Sequence, residues 1–545
     1  LAYEAIGHAL RAEDFGQAAT LIEAAAPPAI GRGEYETLLR WLDALPYELV
    51  GSRPRLGLSA AWALTAGGKY EESEARLGEL ESSAKVAGFA GEIAALHSAN
   101  LLLHDLPRSI TYARLALERL PEHDLFLRGV VAVNLGMGEI IDGDMAAAEH
   151  HSAEAAAIAD RTGNRFVAVV ANNNLAEVRE RQGRLREAAE LFRRALASAS
   201  DRAGRPLPMG GAVMACTHLG RVLYKLNDLD GAERYLTQAI RLGERGRTVE
   251  LLWITYLCMA HLSQTRGDVE AALGWRDRAE RIARETNQPY GVALAAASRV
   301  WLRLAVGGDE ATLRAREYAD DLSRTDVAAT PLPLLVREIQ QLTLARSLIF
   351  LGEPDRALPG LAETLRAAET TGRIGTTIEV HVLRAVALHK RGDVGEALAA
   401  LETALALAEP GGYVRAFVDE GDPMETLHSE LLAARRKGPR DARQHALLDY
   451  ARRLLAAFES PHADTEPPSP PQQETDRALP EPLTPREREV LELISAGLSN
   501  GEIAASLFIA TSTAKWYVHT IFRKLEVDSR TRAVARAREL HLVSE

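Results

Sequence analysis

The stretch MGGAVMACTHLGRVLYKLNDLDGAERYLTQAIRLG, from Met209 to Gly243, decides the fold. Leu219 and Gly220 sit in the middle of a first helix, and Asn227-Asp228 supply a turn. Ala232, Leu236 and Ala239 then recur at helical spacing and line a second helix. Small residues where the two helices cross let their backbones approach, and larger ones fill the gap to the next pair. The same pattern recurs along the chain. A turn residue is followed five positions later by a small one at Gly143 and Ala148, Gly183 and Ala188, Gly267 and Ala272, Gly352 and Ala357, and Gly392 and Ala397. Gly68 with Ser73 and His104 with Ser109 are weaker members, and Gly308 keeps the register but is followed by Leu313. Successive turns lie 36 to 44 residues apart, the periodicity of a stacked helical array.

These units resemble tetratricopeptide repeats. Leu135-Gly136 with Ala148 and Ala155, and Leu175-Ala176 with Ala188, Phe192 and Ala195, fit the same template. The spacing exceeds the usual period of about 34 residues, so the loops between repeats are longer. The resemblance implies an all-α, right-handed superhelical solenoid with an extended concave surface. Such grooves present polar side chains just before the Leu-Gly position. Asn134, Asn174 and His218 occupy it here and are the candidate ligand residues, with Cys258 next in the series and Asn172 and Asn173 adding polarity.

Composition agrees with an all-α chain. Of 545 residues, 47% are hydrophobic but only 5% aromatic, which favours close helix-on-helix packing over sheets. Cys216 and Cys258 lie far apart in helical patterns and read as buried thiols in a reducing cytoplasm. No apolar run reaches membrane-spanning length, so no membrane partner is expected. His150 and His151 are adjacent and point to different helix faces, which suits a solvated pair better than a metal site. No metal-ligand spacing and no Gly-x-Ser-x-Gly elbow appears, and an enzymatic role is not expected.

Five parts follow from this reading. Residues 1–65 are helical but irregular, with Glu13 to Ala18 echoing the repeat turn; residues 66–410 form the array. Residues 411–459 supply its terminal helices after the segment GGYVRAFVDEGDPM. Residues 460–482 are rich in Pro and charge and nearly devoid of large apolar residues, as a disordered linker is. Residues 483–545 are a separate four-helix module.

That module reads LTPREREVLELISAGLSNGEIAASLFIATSTAKWYVHTIFRKLEVDSRTRAVARARELHLV from Leu483. Thr484, Pro485 and Glu487 start its first helix, and Gly497 ends it. Ser499 with Glu502 forms a second capping box. The third helix carries an apolar seam of Ala514, Val518, Ile521 and Leu525, with Lys515, Trp516, His519 and Arg523 elsewhere on its surface. From Thr511 to Arg538 seven basic residues face only Glu526 and Asp528, a local charge of +5 in a chain of formal charge −12. A basic island in an acidic protein is the footprint of a nucleic-acid site.

The module resembles the LuxR-type helix-turn-helix domain. By that resemblance Lys515, Trp516 and His519 reach base edges of double-stranded promoter DNA, and the last helix serves self-association. Ser499, Asn500, Ser512, Thr513, Arg523 and Lys524 complete the expected DNA-binding set through the sugar-phosphate backbone. Three positions depart from the family: Ala510 stands where Ser is usual, Ala514 where Val is usual, and Tyr517 where His is usual.

Repeats, the GYVRAFVDEG segment, linker and module together resemble the MalT-like large regulators of the LuxR class. The resemblance implies a cytoplasmic bacterial transcription regulator whose array senses a small-molecule or protein inducer and controls the DNA reader. The rival reading is an interaction scaffold with a degenerate terminus that binds no DNA. In that class an ATP-binding module precedes the repeats. No G-x-x-x-x-G-K-[ST] occurs here, so no cofactor is expected in this chain, and ATP enters only if such a module lies upstream of Leu1.

Overall fold

The computed structural model describes residues 2–31, 34–82, 88–102, 105–201, 204–207, 209–246, 248–324, 333–435, 442–459, 490–491, 493–495, 497–507, 511–525, 527 and 529–539. The chain divides into two compact units, Leu1–Thr465 and Glu466–Glu545. The expected linker, 460–482, lies outside the described residues.

The first unit is a stack of antiparallel helix pairs. Nine follow one another among the described residues, from Pro54–Ala66 with Tyr70–Glu81 to Ile374–Arg391 with Val394–Ala408. The array thus begins at Pro54, inside the stretch read as an irregular N-terminal segment. Four helices precede it: Ala2–Arg11, Phe15–Gly31, Tyr35–Asp43 and Tyr47–Ser52. Pro27 and Pro28 lie near the end of one continuous helix. The single sheet-like pairing among the described residues is an isolated bridge between Ser200 and Pro206.

Within each pair, the turn residue adopts a left-handed backbone at Gly68, Gly143, Gly183, Asn227, Gly267, Gly352 and Gly392. The small residue expected after it is buried at the crossing in every case, as Ser73, Ala148, Ala188, Ala232, Ala272, Ala357 and Ala397. It is always the fourth residue of the second helix. That rule resolves the one exception. The seventh pair's second helix starts at Gly308, so its fourth residue is Ala311, which is 0% exposed, while Leu313 is 49% exposed. The helix phase had slipped, and Ala311 rather than Leu313 closes the pair. Gly220 shows how tight the crossing is: a Cβ there would lie 2.7 Å from Leu236 Cγ and 3.2 Å from the Ala232 carbonyl oxygen.

First helices of neighbouring pairs touch and form the inner wall of the array. The winding goes far enough to bring distant pairs into contact: Leu125–Asp142 meets Leu334–Phe350, and Arg165–Arg181 meets Ile374–Arg391. Arg373 seals this closure. Its guanidinium is 0% exposed, donates to Glu338 through Nε at 3.0 Å, and reaches the Gly143 carbonyl across 230 residues of sequence at 3.5 Å. Cys216 and Cys258 are free thiols, and burial pushes them up to about 12 and about 11 respectively.

Removing one partner of a buried ion pair strands the other charge, which costs about 3–5 kcal/mol, whereas replacing both by apolar groups is often neutral. Arg373→Met should therefore lower the urea midpoint of the array markedly. Arg373→Met combined with Glu338→Met should recover most of it, in a double-mutant cycle followed by circular dichroism.

Candidate nucleic-acid interface and ligand groove

The terminal unit has its own core. Val490, Leu491, Ile494, Ile503, Val518, Ile521, Leu525, Ala533 and Ala537 are buried together, as their spacing required. The side chain of Ala514, also expected in the seam, lies outside the described residues. Gly497 adopts φ +85°, and the Leu498 N–H bonds back to the Leu493 carbonyl at 3.1 Å, which closes the first helix.

The expected capping box is in place. The Ser499 N–H donates to Glu502 Oε2 at 2.8 Å, and the Glu502 N–H donates to Ser499 Oγ at 3.3 Å. The backbone hydrogen bond from Ser499 holds the Glu502 carboxyl below its ordinary range. Helices Asn500–Leu507, Thr511–Lys524 and Arg530–Glu539 follow.

The candidate DNA-binding residues divide into four groups. Lys515 is exposed on the third helix. Ser499 and Asn500 are held by internal bonds: Asn500 Oδ1 accepts from Arg530 Nη1 at 3.3 Å, and Arg530 also donates to the Leu498 carbonyl. Lys524, expected at the sugar-phosphate backbone, is 7% exposed. It lies on the same helical stripe as the buried Ile521 and is drawn inward with it. The side chains of Ser512, Thr513, Trp516, His519 and Arg523 lie outside the described residues. Tyr517, one of the departures, is half-buried and packs on the core.

Arg530 has a structural partner that sequence reasoning did not supply. It was counted in the basic island, yet it ties the last helix to the start of the second. Its position after Ser529 at a helix start carried no signal of that partner.

The first unit encloses a groove of about 2390 Å³ along the first helices. Asn134, Asn174, His218 and Cys258 all line it, so the repeat position chosen from sequence does face the interior. Their states differ. Asn174 Nδ2 donates to the Val133 carbonyl at 2.9 Å and is used in packing. Asn173 Nδ2 likewise donates to the Gly211 carbonyl at 2.9 Å, but its buried Oδ1 has no partner. Asn134 Nδ2 and His218 Nδ1 are also buried without hydrogen bonds.

Beside them lies an ionic floor that the sequence did not reveal. Glu180 accepts from Arg221 Nε at 3.0 Å, Arg221 Nη2 at 2.7 Å and Lys225 Nζ at 2.9 Å. Burial opposes the charge of Glu177, yet His218, Arg181 and Arg221 hold it down to about 2. Burial lowers His218 to about 4, with Arg221 adding to the effect, so the ring is neutral. His428, buried on the terminal helix Asp422–Ala434, is likewise lowered to about 4 by burial.

The unfolded chain takes up protons on both rings from about pH 6.5. Between that pH and about 4 it binds more protons than the fold, so these histidines make stability fall as pH drops through the window. The urea midpoint of His428→Leu should vary less between pH 7 and 4.5 than that of the parent. In the terminal unit, Ser499→Ala should cost about 1 kcal/mol by loss of the cap, read as a lower melting temperature of that unit.

Comparison with known proteins gives these two units their relatives. Residues 91–434 match the MalT-like TPR region, and residues 481–537 match the bacterial regulatory proteins of the luxR family. The HTH-type transcriptional regulator MalT of Vibrio parahaemolyticus is 24% identical over 99% of this chain and 60% of its own length. That of Yersinia pestis is 26% identical over 98% of this chain and 60% of its own. The chain therefore spans about 60% of the length of these relatives. Among solved structures, a Rap protein complexed with competence and sporulation factor aligns at a TM-score of 0.40 and 13% identity, over 75% of this chain and 98% of its own. Yeast Tom70 aligns at 0.32 and 13%, over 84% and 95%. The chain belongs to the MalT-like TPR family and carries a luxR-family regulatory region at its C-terminal end.

Proposed function

We propose that this chain is the sensing and DNA-reading part of a bacterial transcription regulator acting in the cytoplasm. The capping box at Ser499 and Glu502 is the observation that carries the reading. It fixes the start of the second helix, and with the shared core it positions Thr511–Lys524 as the helix that enters the major groove. Lys515, Trp516 and His519 read base edges. Ser512, Thr513 and Arg523 hold phosphates, while Ser499, Asn500 and Lys524 act by positioning that surface. The last helix mediates self-association.

The groove takes the inducer. Asn134, Asn173 and His218 offer it unpartnered polar atoms in a largely apolar setting, and such atoms gain from a ligand what the fold does not supply. The volume exceeds the roughly 300–1,000 Å³ of an ordinary small-molecule pocket, which leaves room for a large ligand or a protein segment.

Lys515→Ala in the full chain should weaken binding to promoter DNA by about 1–3 kcal/mol if it makes a bidentate base contact. Parent affinity should fall steeply from 50 to 200 mM salt in a fluorescence-anisotropy titration. Absence of binding at low salt, with the terminal unit folded, refutes the DNA-reading assignment.

A further inference from the structure

The segment Tyr413–Gly421 does more than end the array. It threads back onto first helices laid down nearly two hundred residues earlier. The Val414 N–H donates to the Lys225 carbonyl at 2.9 Å, and the Tyr413 hydroxyl donates to the Glu180 carbonyl at 3.3 Å. Arg415 donates to Asn227 Oδ1 and Thr265 Oγ1, each at 3.3 Å, and pairs with Asp419. The Tyr224 hydroxyl donates to Asp419 Oδ2 at 2.8 Å, and Arg346 Nε donates to Glu420 Oε1 at 2.8 Å.

The two sides of this segment differ in chemistry. Tyr413, Arg415, Asp419 and Glu420 line the groove. Phe417 is 0% exposed and meets His428 and Tyr450 edge-on, on the terminal helices Asp422–Ala434 and Ala442–Glu459. Tyr450 donates its hydroxyl to the Tyr413 carbonyl. Gly412 and Gly421 bracket the segment with φ of +75° and +65°, a left-handed backbone that other residues rarely adopt.

We infer that Tyr413–Gly421 is the end wall of the groove and the element that passes groove occupancy to the terminal helices. The inference rests on the reading of the groove as a ligand site. A polar clasp suits this role. Buried ion pairs add little net stability, because desolvation offsets their attraction, so partners can be exchanged at small cost. A polar group of an occupant that reaches Asp419 or Glu420 competes with Tyr224 and Arg346 for the same carboxylates. Arg415 Nε, buried and unpartnered, is an open donor at the same place. Because Phe417 is seated in the terminal helices, displacement of the polar side moves the apolar side with it. Those helices lead into the stretch that precedes the DNA reader.

The test is hydrogen exchange on the full chain. Tyr224→Phe removes one hydroxyl from the clasp. Gly411→Ala sets a Cβ against the Gly183 carbonyl oxygen and pushes the segment away without altering a groove-lining side chain. Arg266→Met, which breaks an outer-face pair with Asp230 and Glu233, is the control. To mimic occupancy, Ile339→Cys, on the groove wall two turns before Arg346, is labelled with N-phenylmaleimide. The parent chain treated with the same reagent accounts for the native thiols, buried Cys216 and part-exposed Cys258 in the groove.

The first two variants and the labelled protein should raise exchange at least tenfold both in 413–421 and in Ala442–Glu459, and the control in neither. The same proteins should shift full-chain affinity for promoter DNA at least fivefold. A rise confined to 413–421, or no rise, overturns the coupling. Coupled exchange with DNA affinity unmoved overturns its transmission to the reader. Coupled exchange in a chain that binds no DNA at low salt refutes the DNA reading and leaves the coupling standing.

Discussion

How closely two helices can cross governs the array. Each pair puts a small residue at the fourth position of its second helix, and each of these residues is buried. A larger side chain there would force the axes apart, and the error would repeat at every unit. The scarcity of aromatic residues follows from the same constraint. Close, regular crossings keep the rotation between pairs similar, and similar rotations accumulate into curvature. Curvature in turn brings the third and fourth pairs against the eighth and ninth, and so creates an interior.

That interior is largely apolar but holds several buried ion pairs. Glu180 is shared by Arg221 and Lys225, Glu338 by Arg373, and Glu420 by Arg346, so the charges are largely paired within the fold. Such pairing contributes less to stability than to specificity of packing. Among the described lining residues the unmatched atoms include the amide atoms of Asn134 and Asn173, one ring nitrogen of His218 and the Nε donors of Arg181 and Arg415. Any occupant of the groove would meet a few unmatched hydrogen-bonding atoms among largely paired charges.

Sequence periodicity carried the helix pairs, the reader's core and the capping box, because those depend on neighbours at fixed short spacing. Ser499 and Glu502 are three residues apart, and their reciprocal bonds are dictated by local geometry. It failed where phase or distant partners decide. Leu313 was misplaced because a two-residue shift of the helix start rotates the whole face, and Ala311 then took the crossing. The burial of Lys524 was likewise not foreseen, although it stands next to the apolar seam. Arg373, Arg415 and Arg530 find partners that no spacing rule connects to them, since superhelical winding or the meeting of separate helices supplies the neighbour.

The contact between Arg373 and Gly143 has a consequence for the order of assembly. A linear stack of repeats folds by adding each unit to the last, and contacts remain local in sequence. Here a turn formed early waits for a side chain 230 residues later. At about 5–20 residues per second of synthesis, that interval lasts roughly 10–50 s on the ribosome. Throughout it the inner faces of the third and fourth pairs lie open to solvent, and the high contact order of the closure makes it a late event. The nascent array is therefore most exposed to chaperones, and to wrong partners, in the interval between building its wall and sealing it.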